Sequence, residues 1–315
     1  ETEDTKVKLH RQIFEEWSDI ADNVREVEIF LRHWLVATGK DKIQKKKVFD
    51  HVAKRLKDST AEGRKQKAIL LWKEIQDASV IYQKIIDPKM GGTSQFHLEI
   101  LNGYWKSHRI LLLHVLDVTD DAAVRDSIIR QIFVLCFRWQ MVGGNAQVLE
   151  TKFQDMGNDY RETGNATKLI DALKTETAKI SQEQIELFLK ESVDGGYIGR
   201  ALLYCLEMAR APKKNPTPFD SKVHLEHIAP QTPTDGWKAD LFNGNEDLYE
   251  FYDVLATQIG NVTLLDHKIN MSIKQLPFRD STSASEPRDK ISEYANNSFK
   301  LTDDVISLQK WDQSA

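Results

Sequence analysis

Apolar residues recur at three- and four-residue spacing over the first two thirds of the chain. Ile13, Trp17, Ile20 and Val24 fall on one stripe, and Leu71, Ile75, Ala78, Tyr82 and Ile85 on another, the period of a half-buried helix. Phe30, Leu31, Trp34 and Leu35 predict a short amphipathic helix closed by Gly39. The segments 94–116 and 121–142 predict two more apolar helices. Ser181 and Gln184 have the spacing of a capping box that opens a helix running to Lys190. Gly195 and Gly196 separate it from a further helix over 197–210. Three prolines, Pro212, Pro216 and Pro218, then fall within ten residues and cannot continue a helix.

Beyond the prolines the period changes. Val223–Ile228 alternates as a short strand and stops at Pro230. Residues 232–245 read as a loop, 246–256 as a short helix, and Val262–Leu265 as a second strand. Asp266 is a plausible N-cap for a helix carrying Ile269, Asn270 and Ile273, and 288–299 reads as a later helix. The fold class is therefore mainly α: a multi-helix domain (1–210), a linker (211–220), and a small α+β domain (221–315).

Composition narrows this further. With 315 residues, 41% hydrophobic and 29% charged, the chain can bury a sizeable core. The most apolar runs, 110–116 and 128–142, are broken by His114, Arg130, Gln131 and Arg138, well short of the ~20 apolar residues of a membrane span. The first residues are acidic and polar, unlike a signal peptide. Cys136 and Cys205 have no CxxC partner, which argues against structural zinc and a disulfide framework and suits a reducing cytoplasm. The net charge of −5 is uneven: residues 40–67 hold eleven Lys and Arg against four Asp and Glu, a local +7 that leaves −12 for the rest. That segment suits either a polyanion-facing surface or a solvated helix face.

The chemistry concentrates in two stretches. Glu226 and His227 close the first strand, while Asn261 and Asn270 flank the second. Strand, loop, strand and helix with these residues describe a ββα-metal arrangement. Glu226 and Asn270 supply hard oxygens for Mg²⁺ (or Mn²⁺). His227 is the general base that activates water against a phosphodiester. Asn261 is expected to tie the loop that carries His227. Neighbouring strand residues face opposite ways, so convergence of Glu226 and His227 predicts a twist or bulge there. His224, on the face of Glu226, is a candidate phosphate contact, as are Lys268, Lys274 and Lys290. Lys45, Lys46 and Lys47 extend the same candidacy to the basic segment. Each lysine alone equally suits a solvated surface.

Glu226-His-Ile-Ala-Pro-Gln231, Ile259-Gly-Asn-Val-Thr-Leu-Leu265, Asn270, Pro277-Phe278, Lys290, Tyr294, Ser298 and Trp311 together resemble the C-terminal HNH-type nuclease domain of GmrSD-like proteins. The resemblance covers about 221–311. It is weaker in the helical region before it, notably 133–153. It implies a modification-dependent restriction or phage-defence endonuclease or nickase acting on DNA, double-stranded and including modified phage DNA. The family's nucleotide-binding Asp-Gly-Gln-Gln-Arg motif has no counterpart here, so the resemblance implies that such a domain lies upstream. The 33 residues between His227 and Asn261 exceed the gap of compact HNH motifs. They contain a segment, 237–252, that either shapes DNA contact or packs. A second expectation is a helical DNA- or partner-binding regulatory module with a weak or silent nuclease unit. RNA is a third possible substrate, because the same chemistry attacks either backbone.

Overall fold

The structure is a computed structural model that describes residues 3–24, 26–39, 41–191, 196–210, 219, 222–273, 275–279 and 289–312, with the backbone alone for 3–10 and 191. It is mostly helical with one small two-stranded sheet. The chain divides into two compact units, 1–180 and 181–315.

The first unit contains α1 (Glu3–Val24), α2 (Val27–Thr38), α3 (Val48–Arg55), α4 (Ala61–Ile86), α5 (Gly92–Tyr104), α6 (His108–Val118), α7 (Ala122–Met141), α8 (Ala146–Thr163) and α9 (Ala166–Ala178). Helix α6 is its centre, packed against α2, α4, α7 and α8, with every residue from His108 to Val115 buried. A helix apolar on all sides must be enclosed. The single helix expected over 94–116 is in fact two. It breaks at Trp105, whose backbone is extended, after Asn102 and Gly103, both weak helix formers. The break re-aims the chain so that α6 enters the core. Arg109 is tolerated there because Nη1 donates to the Tyr82 hydroxyl at 3.1 Å and Nε to Asn102 Oδ1 at 3.2 Å.

The second unit contains α10 (Gln182–Glu191), α11 (Tyr197–Ala209), β1 (Val223–His227), α12 (Asp235–Leu241), α13 (Tyr252–Ala256), β2 (Val262–Asp266), α14 (His267–Ile273), α15 (Lys290–Tyr294) and α16 (Lys300–Ile306). Its start is the capping box: Ser181 N–H donates to Gln184 Oε1 at 2.9 Å, and Gln184 N–H to Ser181 Oγ at 3.3 Å. Periodicity alone had grouped α10 and α11 with the helical part. Helix α11 packs on β1, β2 and α16, and the linker expected at 211–220 lies, Phe219 apart, outside the described residues.

β1 and β2 pair antiparallel, with Val223 opposite Asp266, Glu226 opposite Thr263 and His227 opposite Val262. The pairing is one to one through His227, so the expected bulge at Glu226-His227 is absent and the two side chains keep opposite faces. The core of the unit gathers Trp237, Tyr252, Leu265, Ile273, Tyr294 and Trp311. Residues 232–245 are not a plain loop. Thr234 Oγ1 accepts from Trp237 N–H and starts α12, whose Trp237 and Leu241 are buried. Of the long helix expected over 288–299, the described part forms only Lys290–Tyr294. Asn297 ends it by acting as a third strand would: Nδ2 donates to Leu264 O at 3.1 Å and Oδ1 accepts from Asp266 N–H at 3.2 Å.

Glu207 of α11 is 2% exposed and accepts from the N–H groups of Lys300 and Leu301, both at 2.9 Å. It caps α16 in place of a local side chain, since Phe299 makes no cap. Replacing Glu207 with Ala is expected to cost about 2–3 kcal/mol in chemical denaturation of the full chain, with Gln restoring part of it. An unchanged denaturation midpoint would contradict this role.

Candidate functional site

A two-stranded sheet leaves one edge of β1 without a backbone partner. Lys222 O and Ile228 N–H bond across toward β2, to His267 N–H and Asn261 O. By alternation the carbonyls of Val223 and His227 face outward. Two cations meet them. Arg200 Nη1 of α11 donates to Val223 O at 3.1 Å, and Lys290 Nζ of α15 donates to His227 O at 2.7 Å.

Lys290 also pairs with Glu226 Oε1, and Tyr294 donates its hydroxyl to the same oxygen at 3.4 Å. The ammonium lies 5.5 Å from the centroid of the Trp237 ring. Lys290 is 0% exposed, so the lysine read as a surface phosphate contact is a buried counter-ion. Burial raises the Glu226 carboxyl above its ordinary value, against the pull of Lys290 and the Tyr294 hydroxyl. Burial lowers the Lys290 ammonium, against the pull of Glu226.

Asn261 braces the turn after β1 with all its amide valences. Oδ1 accepts from Ala229 N–H at 2.8 Å and Trp311 Nε1–H at 3.1 Å. Nδ2 donates to Ala229 O and Ala256 O, each at 2.8 Å. The segment from Ile228 to Pro230 is thereby fixed immediately after His227, with Tyr252 donating to Pro230 O at 2.8 Å.

Asn270, on α14, meets His224: Nδ2 donates to His224 Nδ1 at 3.3 Å. His224 Nε2 lies 3.0 Å from His267 Nδ1. With Nδ1 accepting, His224 carries its proton on Nε2 and passes a hydrogen bond on to His267. The structure thus joins Asn270 to His224 and His267, while Glu226 is joined to Lys290 and Tyr294. Lys268 is exposed on the same helix, and Lys274 lies outside the described residues. Lys45, Lys46 and Lys47 form an exposed turn in the first unit, with Lys45 3.1 Å from Glu28.

His224 and His227 both line a cleft of about 460 Å³ with Tyr197, Arg200 and Gln231. Among the described residues, its walls hold a cation and two imidazoles. A smaller cleft of about 200 Å³ in the first unit is walled by Glu74, Asp77 and Asp117 beside Arg161, a charge set that repels a phosphate. Gln231 closes the motif quoted from the sequence, without a role assigned to it, while Arg200 and Tyr197 lie outside the motif block. Among the described residues, no three His, Cys, Asp or Glu side chains group to hold a metal ion, and no helix is long and apolar enough to cross a membrane.

Residues 149–315 match the family described as GmrSD restriction endonucleases, C-terminal domain, and the chain belongs to that family. The match begins within α8 and covers the whole second unit. No curated protein and no solved structure matches the chain.

Replacing Lys290 with Met is expected to cost about 3–5 kcal/mol at neutral pH, because it leaves Glu226 buried without its counter-ion. The double replacement Glu226→Leu with Lys290→Met should recover most of that loss. In the single variant the folded carboxyl holds its proton to higher pH than the unfolded one, so stability falls as pH rises above the ordinary carboxyl value. Denaturation at pH 4 and pH 7 checks this. Equal losses at both values would contradict it.

Proposed function

We propose that the second unit is a metal-dependent DNA endonuclease of the HNH type, nicking or cutting invading phage DNA in a restriction system. The observation that carries this reading is the cleft that His224 and His227 line together with Arg200. His227 takes the proton of the attacking water. The water oxygen bonds to phosphorus and the bond to the 3′ oxygen breaks, leaving 5′-phosphate and 3′-hydroxyl ends.

A divalent cation, Mg²⁺ or Mn²⁺, would supply neutralisation of the scissile phosphate and of the leaving oxygen. Asn270 spends its N–H on His224, which leaves its carbonyl as a hard donor. Glu226 Oε1 takes Lys290 and Tyr294, which leaves Oε2 as a second donor. So sparse a donor set suits an ion that keeps several waters. Asn261 holds the turn after His227 and so acts through position rather than proton transfer. In this reading His224 orients Asn270, and exposed Lys268 contacts a phosphate of the DNA. An upstream nucleotide-binding domain would control cutting, and the compartment would be the cytoplasm.

The test is nicking of supercoiled plasmid by the full chain with Mg²⁺ or Mn²⁺. His227→Ala is expected to lower the rate by roughly 10²–10⁴-fold, Asn270→Ala is expected to weaken Mn²⁺ binding, and EDTA to abolish cutting. Wild-type rates in His227→Ala would refute the assignment.

A second reading has its own observation. Lys45, Lys46 and Lys47 are exposed beside Phe49, itself 70% exposed, so the helical unit presents a basic patch with an aromatic edge suited to DNA or an acidic partner. Other cations of the segment are structural: Arg55 donates to Thr38 Oγ1 at 2.7 Å and lies 4.6 Å over Trp34. Reversing Lys45, Lys46 and Lys47 to Glu is expected to weaken DNA binding and flatten its salt dependence. Unchanged affinity would remove this role.

A further inference from the structure

We propose that His267 is a positioning residue of the nuclease: acting through His224, it fixes the Asn270 amide with its carbonyl turned to the divalent cation. The inference rests on the nuclease reading above, which takes that carbonyl as a metal donor. It adds a residue to which that reading gives no task.

The three side chains form one run of hydrogen bonds. His267 and Asn270 are three residues apart on α14 and share a face of it. The backbone of His267 is tied to the start of the first strand, its N–H donating to Lys222 O at 2.9 Å. The His224 ring centroid lies 4.5 Å from that of His267. Its Nε2 is 3.0 Å from His267 Nδ1, and its Nδ1 is 3.3 Å from Asn270 Nδ2. His224 thus turns one ring nitrogen to each partner.

Direction matters in this run because the two ends of an amide are nearly the same size. Packing cannot choose between them, whereas a hydrogen bond can. Asn270 Nδ2 only donates, so His224 Nδ1 accepts and the His224 proton sits on Nε2. That Nε2–H then needs an acceptor, and His267 Nδ1 supplies it. A His224 protonated on Nδ1 would donate to Asn270 Oδ1 instead. The amide would turn end for end and set its N–H groups where the cation takes an oxygen. An acceptor at position 267 therefore selects the tautomer of His224, and the tautomer selects the end of the amide. This is how groups behind a metal ligand set its orientation. A purely architectural His267 would pack against the His224 ring, and that role is indifferent to what stands at position 270.

The experiment titrates Mn²⁺ into the full chain without DNA and reads free Mn²⁺ by electron paramagnetic resonance. His267→Ala is expected to weaken binding about 10-fold, and Asn270→Ala at least as much. His267→Asn, whose Oδ1 takes the place of Nδ1 as acceptor, should keep wild-type affinity. The decisive comparison uses Asn270→Asp. A carboxylate has an oxygen at both ends and no wrong way round, so adding His267→Ala to that variant should leave its Mn²⁺ affinity unchanged.

Wild-type affinity in His267→Ala, with a loss in Asn270→Ala, would overturn the inference and leave the metal donor of the nuclease reading in place. Equal losses from His267→Ala with Asn and with Asp at position 270 would overturn it as well, because His267 would then act on the ion by some route other than the amide. A loss in His267→Asn as large as that in His267→Ala would do the same. Wild-type affinity in Asn270→Ala would sink the donor assigned in the nuclease reading, and the inference with it.

Discussion

Among the described residues, Val223, Leu225 and His227 of β1 turn their backbone polar groups away from β2, toward no other strand. Side chains meet two of the carbonyls so exposed. Arg200 covers Val223 O, Lys290 covers His227 O, and Asn297 plays the missing neighbour along β2. Side chains rather than strands meet these edges, and they arrive from three segments: α11, α15 and the turn after α15. Their positions are therefore fixed by the strand edge and by one another. A two-stranded ribbon alone would be marginal in water. Enclosed in this way it becomes a rigid platform.

The platform sorts the charges. Lys290 is drawn inward and neutralises Glu226, at a desolvation cost that each partner only offsets for the other. Arg200, half-buried, lines the cleft and donates to Val223 O. Alternation along β1 then divides the motif. Glu226 faces the buried lysine and His227 faces the other way, while His224 is coupled through Asn270 to the start of α14. The chemistry proposed for the site needs groups on both sides of one short strand, which an exposed strand edge permits and the interior of a larger sheet does not.

Much of this was legible in the residues. The first strand showed in its alternation up to Pro230, the second in its apolar, β-branched run after Gly260, and the capping box at Ser181 in its spacing. The amide of Asn261 follows a glycine at the mouth of a strand, a place where side-chain-to-backbone bonds are common, and it makes four. What escaped depends on tertiary placement. A lysine reads as solvated whether or not a carboxylate awaits it, so Lys290 looked like a phosphate contact. Periodicity identifies α11 as a helix and says nothing of which body it joins, so Arg200 and Tyr197 went unnoticed. Convergence of Glu226 and His227 on one point would require a bulge between them. The one-to-one register refuses it. Trp237 and Leu241 turned an apparent loop into a packed helix because two apolar residues four apart suffice once a core is waiting.

In the proposed mechanism the imidazole at position 227 removes the proton of the attacking water. It is tested most directly by chemical rescue. The chain carrying His227→Gly is incubated with supercoiled DNA, Mn²⁺ and increasing free imidazole, and initial nicking rates are recorded. The account predicts negligible cutting without imidazole, and a rate that climbs with its concentration and with pH as the neutral ring accumulates. Full cutting by the variant in the absence of imidazole would contradict it.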